Sequence, residues 1–247
     1  MASQFQLPSL SQVSFATAIL ATAAACKIGL TPPHPPPPTA VKIDPNASSL
    51  HKFRQTTTKG TFNDLINAPI GFLALHTVGL ALTYPNSPSW LLRHGANSLN
   101  QNLISWSAST AIPIVLILGV GLPLRVIPFR TLGKSFTFTL APPQNGLVKT
   151  GIYKYLQHPS YTGAAVIFVA PMVLLYRREG ALGCWIPEGW EVIGKAVERV
   201  VAPVYAGMLL WMLGMRVREE ERMLKAEFGE EWEDYRRTRA RFLPWIW

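Results

Sequence analysis

Charge is scarce in this chain. Only 15% of its 247 residues are Asp, Glu, Lys or Arg, while 49% are hydrophobic. A soluble domain carries about 25% charged residues, so this composition argues against a soluble fold. Acidic residues are the scarcer sign, 14 against 23 basic, leaving a net charge of +9. Cysteine is nearly missing. Cys26 and Cys184 lie in different regions, and no CxxC pair or Cys/His set accompanies them, so no metal site is expected. No arginine precedes Arg54, which argues against a mitochondrial presequence. No internal repeat is seen. The basic residues are dispersed and match no nucleic-acid reader motif, so nucleic acid is not an expected partner. The C-terminal PWIW is not a prenylation signal.

What is present is apolar sequence in long runs. Crossing roughly 30 Å of hydrocarbon takes about 20 mostly apolar residues. Five runs qualify or nearly so: 10–30, 62–83, 103–124, 161–176 and 196–215. Backbone groups find no water partner in lipid, so helices are expected throughout. The expected fold class is an all-α integral membrane protein of about five transmembrane helices, with a cytosolic C-terminal catalytic and cofactor region. The first run, which ends in an alanine-rich stretch resembling a cleavage region, has no basic segment before it, so it reads as a span rather than a signal peptide. Residues 31–60 read as a linker, stiff through PPHPPPP and flexible through QTTTKGT. Three regions result: 1–60 with the first span and linker, 61–140 with spans two and three, and 141–247 with the remaining spans and the tail.

Lys and Arg gather on the cytosolic side of membrane proteins. With the N-terminus outside, five lysines and arginines lie outside (Arg93, Arg177, Arg178, Lys195 and Arg199) and the other 18 lie inside. The C-terminal tail is then cytosolic, and the positive charge reads as orientation and attraction to anionic membrane lipids.

Two polar segments abut the apolar runs. One is Leu147–Tyr161, broken by Gly151 and Pro159; the other begins at Arg216 and includes Glu219, Glu220 and Glu221. Irregular backbone near a membrane is tolerated where it lines a cavity or faces a ligand. Tyr153, Tyr155 and Tyr161 offer aromatic faces that hold a cation or form an interfacial belt. On a helix, Arg216 and Glu220 share a face, which fits either a solvated ion-pair helix or a site. The abutment of both segments on spans favours a site.

These residues resemble a family. Leu147, Val148, Gly151 and Tyr153, then HPSYxG at His158–Gly163, Arg216 with EExxLxxxFG at Glu220–Gly229, Tyr235 and Pro244 are similar to isoprenylcysteine carboxyl methyltransferases. The resemblance covers about 100 residues from Asn145 onward. HPxYxG is shared with membrane phospholipid methyltransferases, and membrane sterol reductases have a similar tail. The resemblance implies S-adenosyl-L-methionine as cofactor, enclosed by the loop and the tail. It implies cofactor contacts at Asn145, Gly146, Leu147, Val148, Tyr153, His158, Pro159, Ser160, Tyr161 and Glu220, and catalytic roles for Arg216 and Glu221. Gln157 stands where the family commonly has Arg, Asn145 where it often has His, and Trp232 where Tyr usually follows FGEE.

The activity so implied is carboxyl O-methylation of the C-terminal prenylated cysteine of proteins, in the endoplasmic reticulum membrane. A C-terminal carboxylate is already ionised near neutral pH, its pKa being about 3.3–3.7, so no general base is needed. Arg216 would hold the carboxylate, and Glu221 would orient Arg216 or balance the cofactor's charge. The prenyl chain would enter from the bilayer. Alternatives are methylation of another lipophilic acceptor (a phospholipid amine or an isoprenoid acid), a reductase, and a non-catalytic membrane scaffold.

Overall fold

The computed structural model describes residues 7–31, 33, 61–94, 99–133, 136, 146–187 and 189–243, and there the chain is all-α. The helices are α1 (Leu10–Leu30), α2 (Thr61–Thr83), α3 (Ser89–Leu92), α4 (Ala108–Val115), α5 (Leu122–Leu132), α6 (Pro159–Leu175), α7 (Glu191–Ala196), α8 (Ala202–Phe228) and α9 (Glu230–Thr238). Wider π-helical turns at Leu116–Gly121 and Val197–Val201 carry α4 into α5 and α7 into α8. The proline-rich linker from residue 34, Asn145 and Pro244 lie outside the described residues.

Among the described residues, four helical stretches are long and apolar enough to cross a bilayer: Leu10–Leu30, Asp64–Thr83, Gln101–Leu132 and Val192–Phe228. This is the composition and architecture of an all-α membrane protein. The remaining expected run is α6, a 17-residue apolar helix. At 1.5 Å per residue it extends about 25 Å, short of the roughly 30 Å hydrocarbon core. The last stretch is longer than its apolar run predicts. It continues as helix through Arg216 and the glutamates to Phe228, because nothing in that polar sequence breaks a helix before Gly229.

The chain forms two compact units: residues 1–26, 67–118 and 168–206 make one, and 27–66, 119–167 and 207–247 the other. The first unit has polar ties between its helices. The Gln12 amide donates to the Ala81 and Tyr84 carbonyls at 2.8 Å each. The buried His76 ring lies between Trp185 Nε1, which donates to Nδ1 at 2.5 Å, and the Leu91 carbonyl 2.8 Å from Nε2. In the same unit, Arg177 and Arg178 share the carboxylate of Glu198, which sits in the π-helical turn at Val197–Val201.

The second unit holds both polar segments. Its helices approach closely through small residues, the usual device in membrane bundles. A Cβ on Gly163 would sit 2.9 Å from the Gly121 carbonyl oxygen and equally close to two atoms of Leu124. Gly163 therefore serves backbone contact between α6 and the start of α5. A buried guanidinium, that of Arg125, links the helices here. Arg125 Nε donates to the Gly29 carbonyl at 2.7 Å, Nη1 donates to Ser160 Oγ at 2.6 Å, and the guanidinium lies over the Phe129 ring at 4.8 Å. These contacts tie α1, α5 and α6 together.

The contact at Gly163 predicts that Gly163→Ala loses roughly 1–3 kcal/mol through forced separation of the two backbones. Gly207→Ala, where nothing lies within 4 Å, should be neutral or mildly stabilising. Unfolding of both variants in the same detergent checks the contrast, and equal behaviour would contradict the packing.

Candidate functional site

The segment from Gly146 to Tyr161 and the chain from α8 to Phe242 are held together at several levels. Apolar contact comes first. Leu224, Trp232 and Tyr235 form a buried cluster, and Leu147, Met223 and Phe228 pack against it. Gly229, at φ +50°, ends α8 and lets α9 turn away, a conformation glycine adopts without strain. The acidic first turn of α9 (Glu230, Glu231, Glu233) and its basic last turn (Arg236, Arg237) suit the helix dipole.

Backbone pairing comes next. Leu156 and Ala240 form an isolated parallel bridge. The Gln157 N–H donates to the Ala240 carbonyl at 2.9 Å, the His158 N–H to the Arg241 carbonyl at 3.1 Å, and the Ala240 N–H to the Tyr155 carbonyl at 3.2 Å. Thr162 Oγ1 donates to the Phe242 carbonyl at 2.8 Å. Residues 240–242 thus form a strap along the Tyr155–Thr162 stretch. The Tyr235 hydroxyl adds bonds to the Tyr153 and Leu156 carbonyls, at 2.8 and 3.3 Å. Burial pushes the Tyr235 phenol up, so it remains a donor. The buried Gln157 amide completes the tie: its Nε2 donates to the Arg236 and Arg239 carbonyls, at 3.0 and 2.6 Å. Both N–H bonds are committed to acceptors, which fixes the orientation of the amide.

The polar side chains meet where the strap, the loop and α8 converge. His158 is only 2% exposed and stands among the Tyr161, Trp232 and Phe242 rings, with centroids 5.7, 6.4 and 6.1 Å away. Its Nε2 is 3.1 Å from Glu221 Oε1. Arg241 grips the same carboxylate with two bonds, Nε to Oε1 and Nη2 to Oε2, both 2.8 Å. One residue earlier on α8, Glu220 Oε2 accepts the Tyr161 hydroxyl at 2.6 Å.

The candidate residues from the sequence fall in different places around this junction. His158, Tyr161, Glu220 and Glu221 come together in it. Leu147 belongs to its apolar support, and Gly146 and Val148 lie in the irregular backbone beside Leu147. Tyr153 is buried in a short turn at Gly151–Lys154; burial pushes its phenol up, with Glu220, Tyr235 and Tyr161 acting in the same direction. Pro159 is fully buried at the first position of α6, where its missing N–H costs nothing. Ser160 is turned to Arg125. Arg216 is buried on α8 with Nη1 3.7 Å from Glu219 Oε2. The Glu221 carboxylate, expected to serve Arg216 or a cofactor's charge, is bound by Arg241 and His158. Asn145 lies outside the described residues.

Sequence reasoning did not single out Arg241, Arg125 or Gln157 as members of this network. Arg125 carried a signal, a lone cation at the end of an apolar run. Gln157 was noted as a departure from the family's Arg, but neither its partners nor those of Arg241 could be read, because they lie far along the chain.

The isoprenylcysteine carboxyl methyltransferase family model matches residues 112–184, which include the whole Leu147–Tyr161 loop and stop before Arg216. Over that stretch the chain is similar to this family. Two curated rice proteins, each named a probable protein-S-isoprenylcysteine O-methyltransferase, from Oryza sativa subsp. indica and subsp. japonica, are 25% identical to it over 131 residues. That alignment covers 51% of this chain and 57% of each relative, so the chain spans little more than half the length of the relatives it matches.

The Gln157 tie predicts a measurable loosening. Gln157→Leu removes two hydrogen bonds from the tail, a loss of about 1–3 kcal/mol locally. Limited trypsin digestion in detergent should then cleave after Arg236 or Arg239 several-fold faster than in the wild type. Unchanged cleavage would show that the amide does not hold the tail.

Proposed function

We propose that this protein catalyses S-adenosylmethionine-dependent carboxyl O-methylation of C-terminal prenylated cysteine, at the cytosolic face of the endoplasmic reticulum membrane. The observation that carries the reading is the meeting of the loop and the tail: Tyr161 on Glu220, and His158 on Glu221. Similarity to this methyltransferase family over residues 112–184 supports the reaction class, and the split of basic residues supports a cytosolic tail.

The residues at the junction fit such a cofactor, which is a cation with several hydrogen-bond donors. Glu220 and Glu221 are carboxylates, Tyr161, Trp232 and Phe242 are aromatic rings that suit a cation, and Gln157 Oε1 is a buried acceptor that no protein donor satisfies among the described residues. When bound, the cofactor supplies a methyl group activated on a sulfonium sulfur. Leu147, Tyr153, His158 and Tyr161 would hold it, with Gly146, Val148, Pro159 and Ser160 shaping the backbone around it; Asn145, a further contact that the resemblance implies, lies outside the described residues.

The substrate is a carboxylate that is already ionised, so the protein needs to position it and keep water away. Arg216 is buried, and a guanidinium grips a carboxylate through two parallel bonds. Its role is to bind and orient the substrate carboxylate. Glu221, clamped by Arg241, balances positive charge at the junction. Removing water from around the carboxylate raises its reactivity. The prenyl group binds by apolar burial from the bilayer side.

The test uses sealed microsomes, cytosolic face outward, with labelled S-adenosylmethionine and a membrane-impermeant farnesylated cysteine peptide. Base-labile label should appear without detergent. Base-stable label would indicate an amine acceptor, label only after permeabilisation would place the site on the other face, and no label would contradict the reaction. At matched levels of folded protein, Arg216→Lys should lower turnover about 30- to 1,000-fold, because losing the two-pronged contact removes roughly 2–4 kcal/mol from transition-state binding. Arg237→Gln, an exposed change on α9, should leave turnover near normal.

A further inference from the structure

Arg241 is engaged at both ends of His158. Its carbonyl accepts the His158 backbone N–H at 3.1 Å, and its guanidinium forks onto the carboxylate that faces the His158 ring. The ring, the carboxylate and the strap therefore close a loop of contacts that begins and ends on one residue. We propose that Arg241 is a positioning residue, whose two-pronged grip fixes the Glu221 carboxylate and thereby holds the His158 ring in one orientation with its proton on Nε2. The proposal rests on the reading of His158 and Glu221 as parts of the methyl-transfer site.

An ionised carboxylate only accepts hydrogen bonds, so Nε2 must be the protonated nitrogen facing Glu221 Oε1. That bond alone does not fix the carboxylate, which can rotate about its side-chain torsions. The fork from Arg241 fixes it, because two parallel bonds at 2.8 Å each determine both the position and the plane of the carboxylate. Glu221 is mostly buried, with a side chain 15% exposed, whereas Arg241 is 40% exposed. Arg241 therefore reaches inward from the surface to meet a charge that the fold has already enclosed. The strap sets its starting point, since the backbone on both sides of Arg241 is pinned: Ala240 pairs with Tyr155 and Gln157, and the Phe242 carbonyl accepts from Thr162. The Phe242 ring, 5.3 Å from the Arg241 guanidinium carbon and 6.1 Å from the His158 ring centroid, bounds the same space. A lysine at 241 would keep the charge and lose the planar fork. Partners that orient the ligands of a metal typically change function about 10- to 100-fold when removed, and Arg241 is expected to act on a comparable scale.

The full-length protein in detergent, labelled with ¹⁵N-histidine, tests this through the ring signals of His158, assigned by their loss in His158→Gln. The wild type should show a single Nε2–H form. Arg241→Gln and Arg241→Lys should each give a mixture of ring forms, with turnover about 10- to 100-fold lower and the affinity for S-adenosylmethionine changed less than turnover. A wild-type ring protonated on Nδ1 alone would overturn the proposal even if both variants fail to fold. So would variants whose ring signals match the wild type. If the wild type transfers no methyl group, the reaction reading fails, while the ring signals still decide the role of Arg241.

Discussion

A carboxylate removed from water has to be compensated, and Glu221 is where this fold meets that requirement. Two charge-assisted bonds from Arg241 and one contact from His158 satisfy both of its oxygens. The compensation brings together three parts of the sequence that share no local relation: the Pro-broken loop, the polar end of α8 and the residues after α9. Removing Arg241 would leave the Glu221 charge without its main partner, and removing Glu221 would leave an unmatched guanidinium. The strap pairing, the Gln157 amide and the Tyr235 hydroxyl are backbone ties that support the same meeting point.

The apolar packing beneath the junction sets its geometry. Trp232, Tyr235 and Leu224 give α9 a buried face against α8, and Leu147 brings the start of the loop onto that face. On the other side, Gly163 lets α6 press against the chain at Gly121 and Leu124, and Arg125 anchors Ser160 from α5. His158 lies between these two supports, with its backbone in the strap and its ring among three aromatic side chains. A loop so constrained can present polar groups near a bilayer without leaving its own backbone unsatisfied.

The broad architecture was legible in the sequence because it depends on composition. The apolar runs at 10–30 and 62–83 match α1 and α2 within a residue, and the two polar segments were recognisable because they interrupt hydrophobic sequence. Helix length was less legible. Apolar content ends near residue 215, yet α8 continues to Phe228, since a helix stops at a breaker and not where hydrophobicity stops. Within the junction, the resemblance gave Glu220 a cofactor contact and Glu221 a catalytic role but named no protein partner for Glu220; the structure turns Glu220 to Tyr161 and Glu221 to Arg241 and His158. Neighbours on a helix point about 100° apart, and only the tertiary partners decide which faces what. Arg241 looked like one more basic residue in a basic tail.

If the loop and the tail form one ligand site, S-adenosylmethionine must protect both of them together. Hydrogen exchange of the purified protein, with and without saturating S-adenosylmethionine, tests it most directly. The account predicts slower exchange at once in the amides of residues 146–162 and of 216–242, with little change in α1 and α2. Protection confined to one of the two segments, or absent from both, would contradict it.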